Sequence, residues 1–384
     1  MNLLHQSLPP IRVLIADDSA MMRNELTRML DSSPLMRVCG TARDGPEVVE
    51  KTKLLQPDVI ALDVEMPLLN GVEALKRIMR ECPCPVIMFS STSRKGAEVT
   101  LEALSAGAFD YMPKIRPGVN PLKLQEDLIE KVEAASHSWL ARKRALPHPS
   151  PIPVSALPVC APVSLQPGLR QTPRPAPRII VLGTSTGGPQ ALQGLLPELP
   201  GDLPVAMIVV QHMPPGFTAP LAKRLDGLSR VKVCEARHGQ AVVPGTVYIA
   251  PAGHHTTLLR TSETGNWKAN GSRSKDSHQV LICLSDTPLN TVHKPSVDVT
   301  MLSVAEVFGN QTLGIILTGM GTDGLLGMKA IHEAGGITIG QDEASSVVYG
   351  MPRCCAERGI LEQVVPLSEV PQHILQVIHY LHKV

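Results

Sequence analysis

Glycines flank a serine in the segment from Ile179 to Pro189, which reads I-I-V-L-G-T-S-T-G-G-P. The four leading apolar residues are long enough for a buried strand, and leucines follow at helical spacing. A serine on a sharp strand-to-helix turn is exposed for nucleophilic attack, and N–H groups at the helix start stabilise an oxyanion beside it. The pattern therefore favours acyl chemistry at Ser185. A turn of this kind can also hold a phosphate, although a dinucleotide-binding fingerprint would have glycine at this position.

Two further strand ends in the same half of the chain carry a base and a carboxylate. The run Val205 to Val210 precedes His212, and the run Leu313 to Leu317 precedes a Gly-rich loop with Asp323. A serine hydrolase needs a base beside its hydroxyl and a carboxylate that fixes the tautomer of the base. Because the order serine, histidine, aspartate differs from that of α/β-hydrolases, we expect a separate fold. Spacing leaves rivals open, which are His254, His255 and His293 for the base and Asp298 for the carboxylate.

Polar residues near the N-terminus also follow predicted strands. They are an acidic pair, a third carboxylate, a hydroxyl and an ammonium group, at Asp17, Asp18, Asp63, Ser90 and Lys114. The carboxyl ends of parallel strands converge on one crevice, and three carboxylates there favour a hard cation such as Mg²⁺. With the metal bound, Asp63 is suited to attack a phosphoryl donor. The alternative for the acidic pair is capping of the first helix, a position that Asp favours.

Short β-branched runs alternate with helical patterns in both halves, which is typical of parallel sheets with crossover helices. A chain of 384 residues is long enough for two domains. Prolines crowd between residues 145 and 177, where charges are few, so this stretch is predicted to be an extended spacer. We therefore expect an α/β protein with a first domain at 1–135, a proline-rich linker at 136–177 and a second domain at 178–384. The polar stretch 261–278 is predicted to be a solvated loop or hairpin tip.

Composition excludes several classes of function. The formal net charge is +1 and aromatic residues make up 3%, so neither a field nor a stacking surface for nucleic acid is expected. No apolar run reaches membrane-spanning length, and the N-terminus lacks the pattern of a signal peptide. Eight scattered cysteines without zinc-site spacing are typical of reduced thiols. These features predict a cytoplasmic protein without direct membrane insertion.

The N-terminal motifs resemble the receiver domain of two-component response regulators, roughly over residues 10 to 130. The resemblance is carried by the acidic pair, Leu62 to Pro67, Asn70-Gly71, Ser90 and Lys114. It implies a (βα)5 fold in which Asp63 accepts a phosphoryl group from a chemotaxis histidine kinase. The implied Mg²⁺ ligands are Asp17, Asp18, Asp63 and the Glu65 carbonyl, and the implied switch residues are Ser90, Tyr111 and Lys114. Receivers usually have proline directly after this lysine, whereas here Ile115 follows it and the proline stands at position 113.

Motifs in the C-terminal half resemble the chemotaxis protein-glutamate methylesterase family, CheB. They are Gly183 to Pro189, Gln211 to Phe217, Tyr248 to Pro251, Pro295 to Asp298, Leu317 to Gly324 and Gly350 to Pro352. The resemblance implies a parallel-sheet α/β domain in which Ser185 is the nucleophile, His212 is the base and Asp323 orients the base. It also implies that the backbone N–H groups of Thr186 and Met320 are the oxyanion donors.

The same resemblance implies a reaction and its control. The reaction is hydrolysis of glutamate methyl esters, or of glutamine amides, on the cytoplasmic helices of methyl-accepting chemoreceptors. Its products are glutamate with methanol or ammonia, and the ester step needs no cofactor. The receiver is expected to cover the catalytic site until Asp63 is phosphorylated.

Two other classes of function remain open on sequence. A DNA-binding response regulator would need a compact helix-turn-helix with a basic face, and the C-terminal half is strand-rich without a basic cluster. A phosphate sink or scaffold would carry an inactive hydrolase site. Loss of hydrolysis in a Ser185→Ala variant is expected only for the enzyme.

Overall fold

Two parallel sheets, each flanked by helices, account for most of the chain. The computed structural model describes residues 9–91, 93–114, 121–145, 178–261 and 279–382. Residues 146–177 of the predicted linker, nearly all of the polar stretch 261–278 and Ile115 lie outside these ranges. The α/β class predicted from the sequence, with a (βα)5 unit before a second parallel-sheet domain, is confirmed.

The sheet of the N-terminal domain, which resembles a receiver and is called the receiver below, contains five parallel strands in the order β2-β1-β3-β4-β5. Strands β3 and β4 are buried at every position because helices cover both faces, and each is apolar up to its last residue, Asp63 in β3 and Ser90 in β4. The elements are β1 (Ile11–Ala16), α1 (Ala20–Asp31), β2 (Met36–Ala42), α2 (Gly45–Leu55), β3 (Val59–Asp63), α3 (Gly71–Glu81), β4 (Val86–Ser90), α4 (Arg94–Ser105), β5 (Asp110–Pro113) and α5 (Pro121–Ala145).

The last receiver helix is longer than the sequence pattern indicates. Helix α5 runs from Pro121 to Ala145, so the predicted boundary between residues 135 and 136 falls inside it. Residues 136–145 therefore continue a helix, and an extended linker can begin only after them. Periodicity hides this because α5 is long and its C-terminal part is rich in small and basic residues.

The C-terminal sheet contains seven parallel strands in the order β14-β13-β12-β6-β7-β9-β8, and β10 and β11 form a separate antiparallel pair. The elements are β6 (Ile179–Thr184), α6 (Gly188–Leu195), β7 (Ala206–Gln211), α7 (Thr218–Leu228), β8 (Lys232–Glu235), β9 (Thr246–Ile249), β10 (His255–Arg260), β11 (Val280–Ser285), α8 (Val297–Phe308), β12 (Thr312–Ile316), α9 (Leu325–Glu333), β13 (Ile337–Gln341), α10 (Met351–Ala356), β14 (Gln363–Val365) and α11 (Val370–His382).

Three neighbouring strands at the centre of this sheet end where the predicted catalytic residues begin. Strand β6 lies between β12 and β7, and all three are buried at every position. Parallel strands end at the same edge, so the segments after them meet there. Helix α8 packs over β6 at Gly183, where a Cβ atom would lie 2.3 Å from the Val297 side chain. The first turn of α8 is thereby held above the serine turn.

Among the described residues, none of the helices has both the length and the apolar character that crossing a membrane would require.

The backbone of Gly71 lies close to that of Asp63 and Val64 at the end of β3. We predict that Gly71→Ala disturbs this contact. A Cβ atom there would lie 2.0 Å from the Asp63 carbonyl oxygen and 2.9 Å from the Val64 Cα atom. Backbone atoms cannot rotate away, so we expect the unfolding free energy of the receiver to fall by about 1–3 kcal/mol. Urea unfolding of the full chain, followed by a probe in the receiver, measures this change.

Gly194→Ala is the matched control, because this glycine lies in α6 and a Cβ atom added to it would have nothing within 4 Å. It should be neutral or stabilise the helix by up to about 1 kcal/mol. Equal stabilities of the two variants would contradict the contact at Gly71.

Candidate active site

Ser185 lies on the predicted turn between β6 and α6. Gly187 is the N-cap of α6 with φ of 80°, a left-handed conformation that glycine adopts without strain. The Ser185 N–H donates to the Thr318 carbonyl (3.0 Å), and the Gln211 Nε2 amide donates to the Ser185 carbonyl (2.9 Å). In the part of the chain that the structure describes, the Ser185 hydroxyl has no hydrogen-bond partner. The backbone of the turn is fixed while the nucleophile stays free.

His212 pairs with Asp323 through one of its two ring nitrogens. Nε2 lies 2.8 Å from Asp323 Oδ2, and the carboxylate accepts the proton of that nitrogen. Nδ1 is buried and has no partner among the described residues. This arrangement assigns the proton of the neutral ring to Nε2 and leaves Nδ1 as the nitrogen that can accept one.

The Asp323 carboxylate lies at the N-terminus of α8. Besides His212, it accepts hydrogen bonds from the N–H groups of Val297 (2.8 Å) and Asp298 (2.9 Å), and from the Ser296 hydroxyl (2.9 Å). Burial alone would raise the pKa of Asp323, but the hydrogen bond from His212 and those from the helix start hold it well below its ordinary value. The carboxylate therefore stays ionised beside the base.

Asp298, the rival carboxylate, bonds backbone N–H groups and not His212 in the described structure. Its Oδ1 accepts from the N–H groups of Gly324 (3.0 Å) and Gly327 (2.8 Å), at the start of α9. Burial and the neighbouring Asp323 charge raise its pKa, against the backbone hydrogen bonds that lower it. Asp298 and Asp323 thus cap each other's helices, and only Asp323 contacts His212.

The three rival histidines occupy distinct places. His254 is half-exposed and pairs with Asp286 (3.0 Å). His255 is fully buried, with Nδ1 accepting from the Ser296 N–H and Nε2 lying 3.1 Å from the Pro288 carbonyl. His293 stacks on the His212 ring and forms no hydrogen bond to Asp323 in the described structure. The geometry therefore favours His212 as the base.

Two free amides border the nucleophile. The Thr186 and Met320 N–H groups donate to no acceptor in the described ranges. The Gly319–Met320 backbone runs against the serine, because a Cβ atom on Gly319 would lie 2.9 Å from the Ser185 Cβ atom. Free N–H groups on both sides of a nucleophile are what stabilisation of a tetrahedral oxyanion requires.

The receiver places its predicted acidic residues together. Asp17, Asp18 and Asp63 each offer an oxygen within 4.8 Å of the others. Lys114 Nζ lies 2.7 Å from Asp63 Oδ2. Burial raises the pKa of Asp63 to about 6 despite this ammonium group, and burial also raises the pKa of Asp17. Such crowding of carboxylates is unfavourable unless a cation joins them.

These residues fit a hard divalent cation. Asp17 Oδ2 and Asp63 Oδ1 are buried without a partner among the described residues, and the donors are all oxygens, as Mg²⁺ prefers. The capping alternative is not supported, because Ser19 is the N-cap of α1 and accepts from the Met22 N–H. The Ser90 hydroxyl points toward α4, where it lies 3.2 Å from the Gly96 carbonyl.

The receiver lies directly over the catalytic residues. Its β5 and α5 line one wall of a cavity of about 330 Å³, and Ser185, His212 and Met320 line the other. The side of Ser185 that faces this cavity is therefore covered by receiver residues.

Specific contacts join the two domains around this cavity. The Tyr111 ring stacks on Phe217, with centroids 4.9 Å apart. Asp110 Oδ2 accepts from the Thr186 hydroxyl (2.7 Å) and from Lys131 Nζ (2.7 Å). The side chain next to the serine is thus bonded to the receiver.

Sequence reasoning missed several of these positions. Ser296 is visible as a cap residue before an apolar helix, and this signal could have placed it. Gln211 bonds the carbonyls of both Ser185 and His212, and Asp110 bonds Thr186 across the domains. Neither contact has a local signal, since each depends on tertiary packing.

We predict that Asp323→Asn slows the reaction of Ser185 with a fluorophosphonate by about 10³- to 10⁴-fold, because the amide supports the wrong tautomer of His212. Asp298→Asn is the matched control, since it removes the charge of a carboxylate that also lies at the starts of α8 and α9 but does not bond His212. We expect its labelling rate to stay within about tenfold of wild type, with a loss of roughly 1 kcal/mol of stability from the weakened cap. The labelling rate is read by mass spectrometry, and equal losses in both variants would refute the assignment.

Two family models match parts of this chain. A family model described as CheB methylesterase matches residues 180–374, and one described as response regulator receiver domain matches residues 13–121. The protein-glutamate methylesterase/protein-glutamine glutaminase of Desulfitobacterium hafniense is 40% identical over 401 residues, covering 97% of this chain and 99% of that protein. One of the same name from Symbiobacterium thermophilum is 42% identical over 373 residues, covering 96% and 97%.

Among solved structures, the Thermotoga maritima CheB methylesterase catalytic domain is 37% identical with a TM-score of 0.47, and the match covers 53% of this chain and 99% of that one. The family model spans half of the chain, and the curated relatives match it at about 40% identity over nearly its whole length. The chain therefore belongs to the CheB methylesterase family and carries a response regulator receiver domain.

Proposed function

We propose that this chain is a phosphorylation-regulated serine hydrolase that removes methyl esters from glutamate side chains of chemotaxis receptors and deamidates receptor glutamines. One observation carries the catalytic part of the proposal. His212 bonds Asp323 through Nε2 and keeps Nδ1 free, in a cavity that also contains Ser185. Membership of the CheB methylesterase family supports the substrate class.

The reaction follows from the roles of these side chains. The Ser185 hydroxyl oxygen attacks the ester carbonyl while His212 Nδ1 takes its proton, and Asp323 stabilises the resulting imidazolium. The tetrahedral oxyanion accepts hydrogen bonds from the Thr186 and Met320 N–H groups. Its collapse releases methanol, which takes the proton from His212, and leaves a glutamyl ester on Ser185. Water activated by His212 then frees the receptor glutamate, and a glutamine amide releases ammonia by the same steps.

Control is proposed to come from the receiver. The receiver residues that line the cavity beside Ser185 and the Asp110–Thr186 hydrogen bond support a closed form that excludes a receptor helix. Mg²⁺, held by Asp17, Asp18, Asp63 and the Glu65 carbonyl, would supply the positive charge that phosphoryl transfer to Asp63 needs. Ser90 and Tyr111 link that site to the interface, because Ser90 faces α4 and Tyr111 stacks on Phe217. A movement of either side chain changes the fit between the domains.

The proposed partners follow from the same assignment. A chemotaxis histidine kinase is the phosphodonor, and the substrates are the cytoplasmic helices of methyl-accepting receptors. The proposed site of action is accordingly the cytoplasm.

We predict that methanol release from methylated receptor fragments rises at least about tenfold when acetyl phosphate and Mg²⁺ are added. A shift of tenfold corresponds to about 1.4 kcal/mol in the equilibrium between the closed and open forms. Gas chromatography of the released methanol measures the rate. Ser185→Ala should abolish release in both conditions, and Asp63→Asn should keep the basal rate and lose the increase. An equal rate of release with and without the phosphodonor would contradict control by the receiver. If the wild type releases no methanol, the proposed substrate is wrong.

We predict that Asp110→Ala raises the basal rate of the unphosphorylated protein. A hydrogen bond to a charged group is worth about 1.5–3 kcal/mol, so its loss should increase the open population by about tenfold or more. The rate with phosphodonor should change little, because the contact is already broken in the open form. Steady-state methanol release with and without acetyl phosphate gives both numbers.

Asp127→Ala is the control for this variant. Asp127 also lines the cavity from α5, but it forms no hydrogen bond to the catalytic domain among the described residues. Its removal changes the same net charge without removing the Asp110 contact. An equal rise of the basal rate in both variants would show that charge alone, and not this hydrogen bond, holds the closed form.

A further inference from the structure

One face of the His212 ring is covered by a second imidazole. The ring centroids of His212 and His293 are 4.0 Å apart and the ring planes differ by 19°, so the two rings lie flat on each other. His293 also lines the cavity that contains Ser185. Its side chain forms no hydrogen bond with any residue in the described ranges, and its ring contacts the His212 ring by stacking.

The hydrogen bond to Asp323 does not by itself fix the orientation of His212. It locates Nε2, but the χ2 torsion of a histidine is broad and roughly two-fold, so the ring can still tilt. Nδ1 has no partner among the described residues that would restrict this tilt. A flat neighbour on the ring face restricts it, because tilting would bring the two rings into collision. The stacking therefore sets the direction in which Nδ1 points.

The segment that carries His293 is held at both ends by one buried residue. His255 Nε2 lies 3.1 Å from the Thr291 hydroxyl, and His255 Nδ1 accepts from the Ser296 N–H (3.3 Å). Ser296 in turn donates its hydroxyl to Asp323. His293 is thus anchored to the same framework as the carboxylate that bonds His212, and both contacts to the base keep their relative positions.

Electrostatics keep the covering ring neutral. Burial lowers the pKa of His293 to about 4, helped by the His212 charge and by Lys123 and Lys131 of α5 and opposed by Asp323. A neutral ring can face His212 while His212 takes up a proton, whereas a charged one would repel it at 4.0 Å.

We propose that His293 is a positioning residue for the hydrolysis, whose imidazole packs flat on His212 and holds Nδ1 toward the Ser185 hydroxyl. This inference rests on the proposed function, in which His212 is the base. Since a base misplaced by about 1 Å costs on the order of 10²-fold in rate, loss of the flat ring should be felt in the chemical step.

The test compares His293→Ala and His293→Phe in the full-length protein with acetyl phosphate and Mg²⁺ present. Two rates are measured, methanol release from methylated receptor fragments and labelling of Ser185 by a fluorophosphonate. We expect His293→Ala to lower kcat and the labelling rate by about 10- to 100-fold with KM within about twofold. We expect His293→Phe to recover most of both rates, because phenylalanine restores a flat ring without ring nitrogens.

Leu289→Ala, at an exposed position of the same loop, is the control and should match wild type in both rates. Wild-type rates in His293→Ala would overturn the proposal, and so would a His293→Phe variant as slow as His293→Ala, since the ring nitrogens would then be required. A large rise of KM with unchanged kcat would also overturn it, by assigning His293 to substrate binding. Wild-type protein that is labelled but releases no methanol would refute the proposed substrate, while the labelling rates would still decide the role of His293.

Discussion

The carboxylate of Asp323 is the interaction on which the catalytic site depends. It accepts hydrogen bonds from His212 after β7, from the Ser296 hydroxyl and from two N–H groups of α8, so it joins three separate segments at one point. The helix start compensates the burial of its charge, which would otherwise be costly. Because α8 is pressed against β6 at Gly183, the same carboxylate also fixes the height of His212 above the serine turn. Ser185, His212 and Asp323 are therefore positioned by one packed unit.

The second constraint is that the catalytic edge and the receiver share a surface. Thr186 follows the nucleophile directly and is bonded through its hydroxyl to Asp110, while its amide has no acceptor among the described residues. Asp110 in turn is held by Lys131 of α5. Asp110, the neighbour of Tyr111, contacts Thr186, the neighbour of Ser185, so the two domains meet directly at this point. The stack of Tyr111 on Phe217 lies on the same surface.

Much of this was predictable because hydrophobic runs are local signals. The runs before Asp63, Ser185 and His212 each predict a buried strand, and each of these residues lies at a strand end or directly after one. Which strands are neighbours is not local, so spacing alone leaves open both the order β12-β6-β7 and the choice between His212 and His255. The family resemblance of the motifs favours His212 without any structure. Contacts such as Asp110–Thr186 and His212–His293 join residues far apart in the chain, and no periodicity or spacing encodes them.

Part of the domain interface consists of hydrogen bonds to main-chain carbonyls of the receiver. The side-chain amide of Gln190 in α6 donates to the carbonyls of Leu104 (3.3 Å), in the last turn of α4, and Ala108 (2.9 Å), in the turn that leads from α4 to β5. A carbonyl is present whatever side chain a residue carries, so this recognition survives substitutions at both receiver positions as long as the turn keeps its shape. Positions 104 and 108 can therefore change their side chains without losing this part of the interface, whereas the contacts of Asp110 and Tyr111 depend on the side chains themselves.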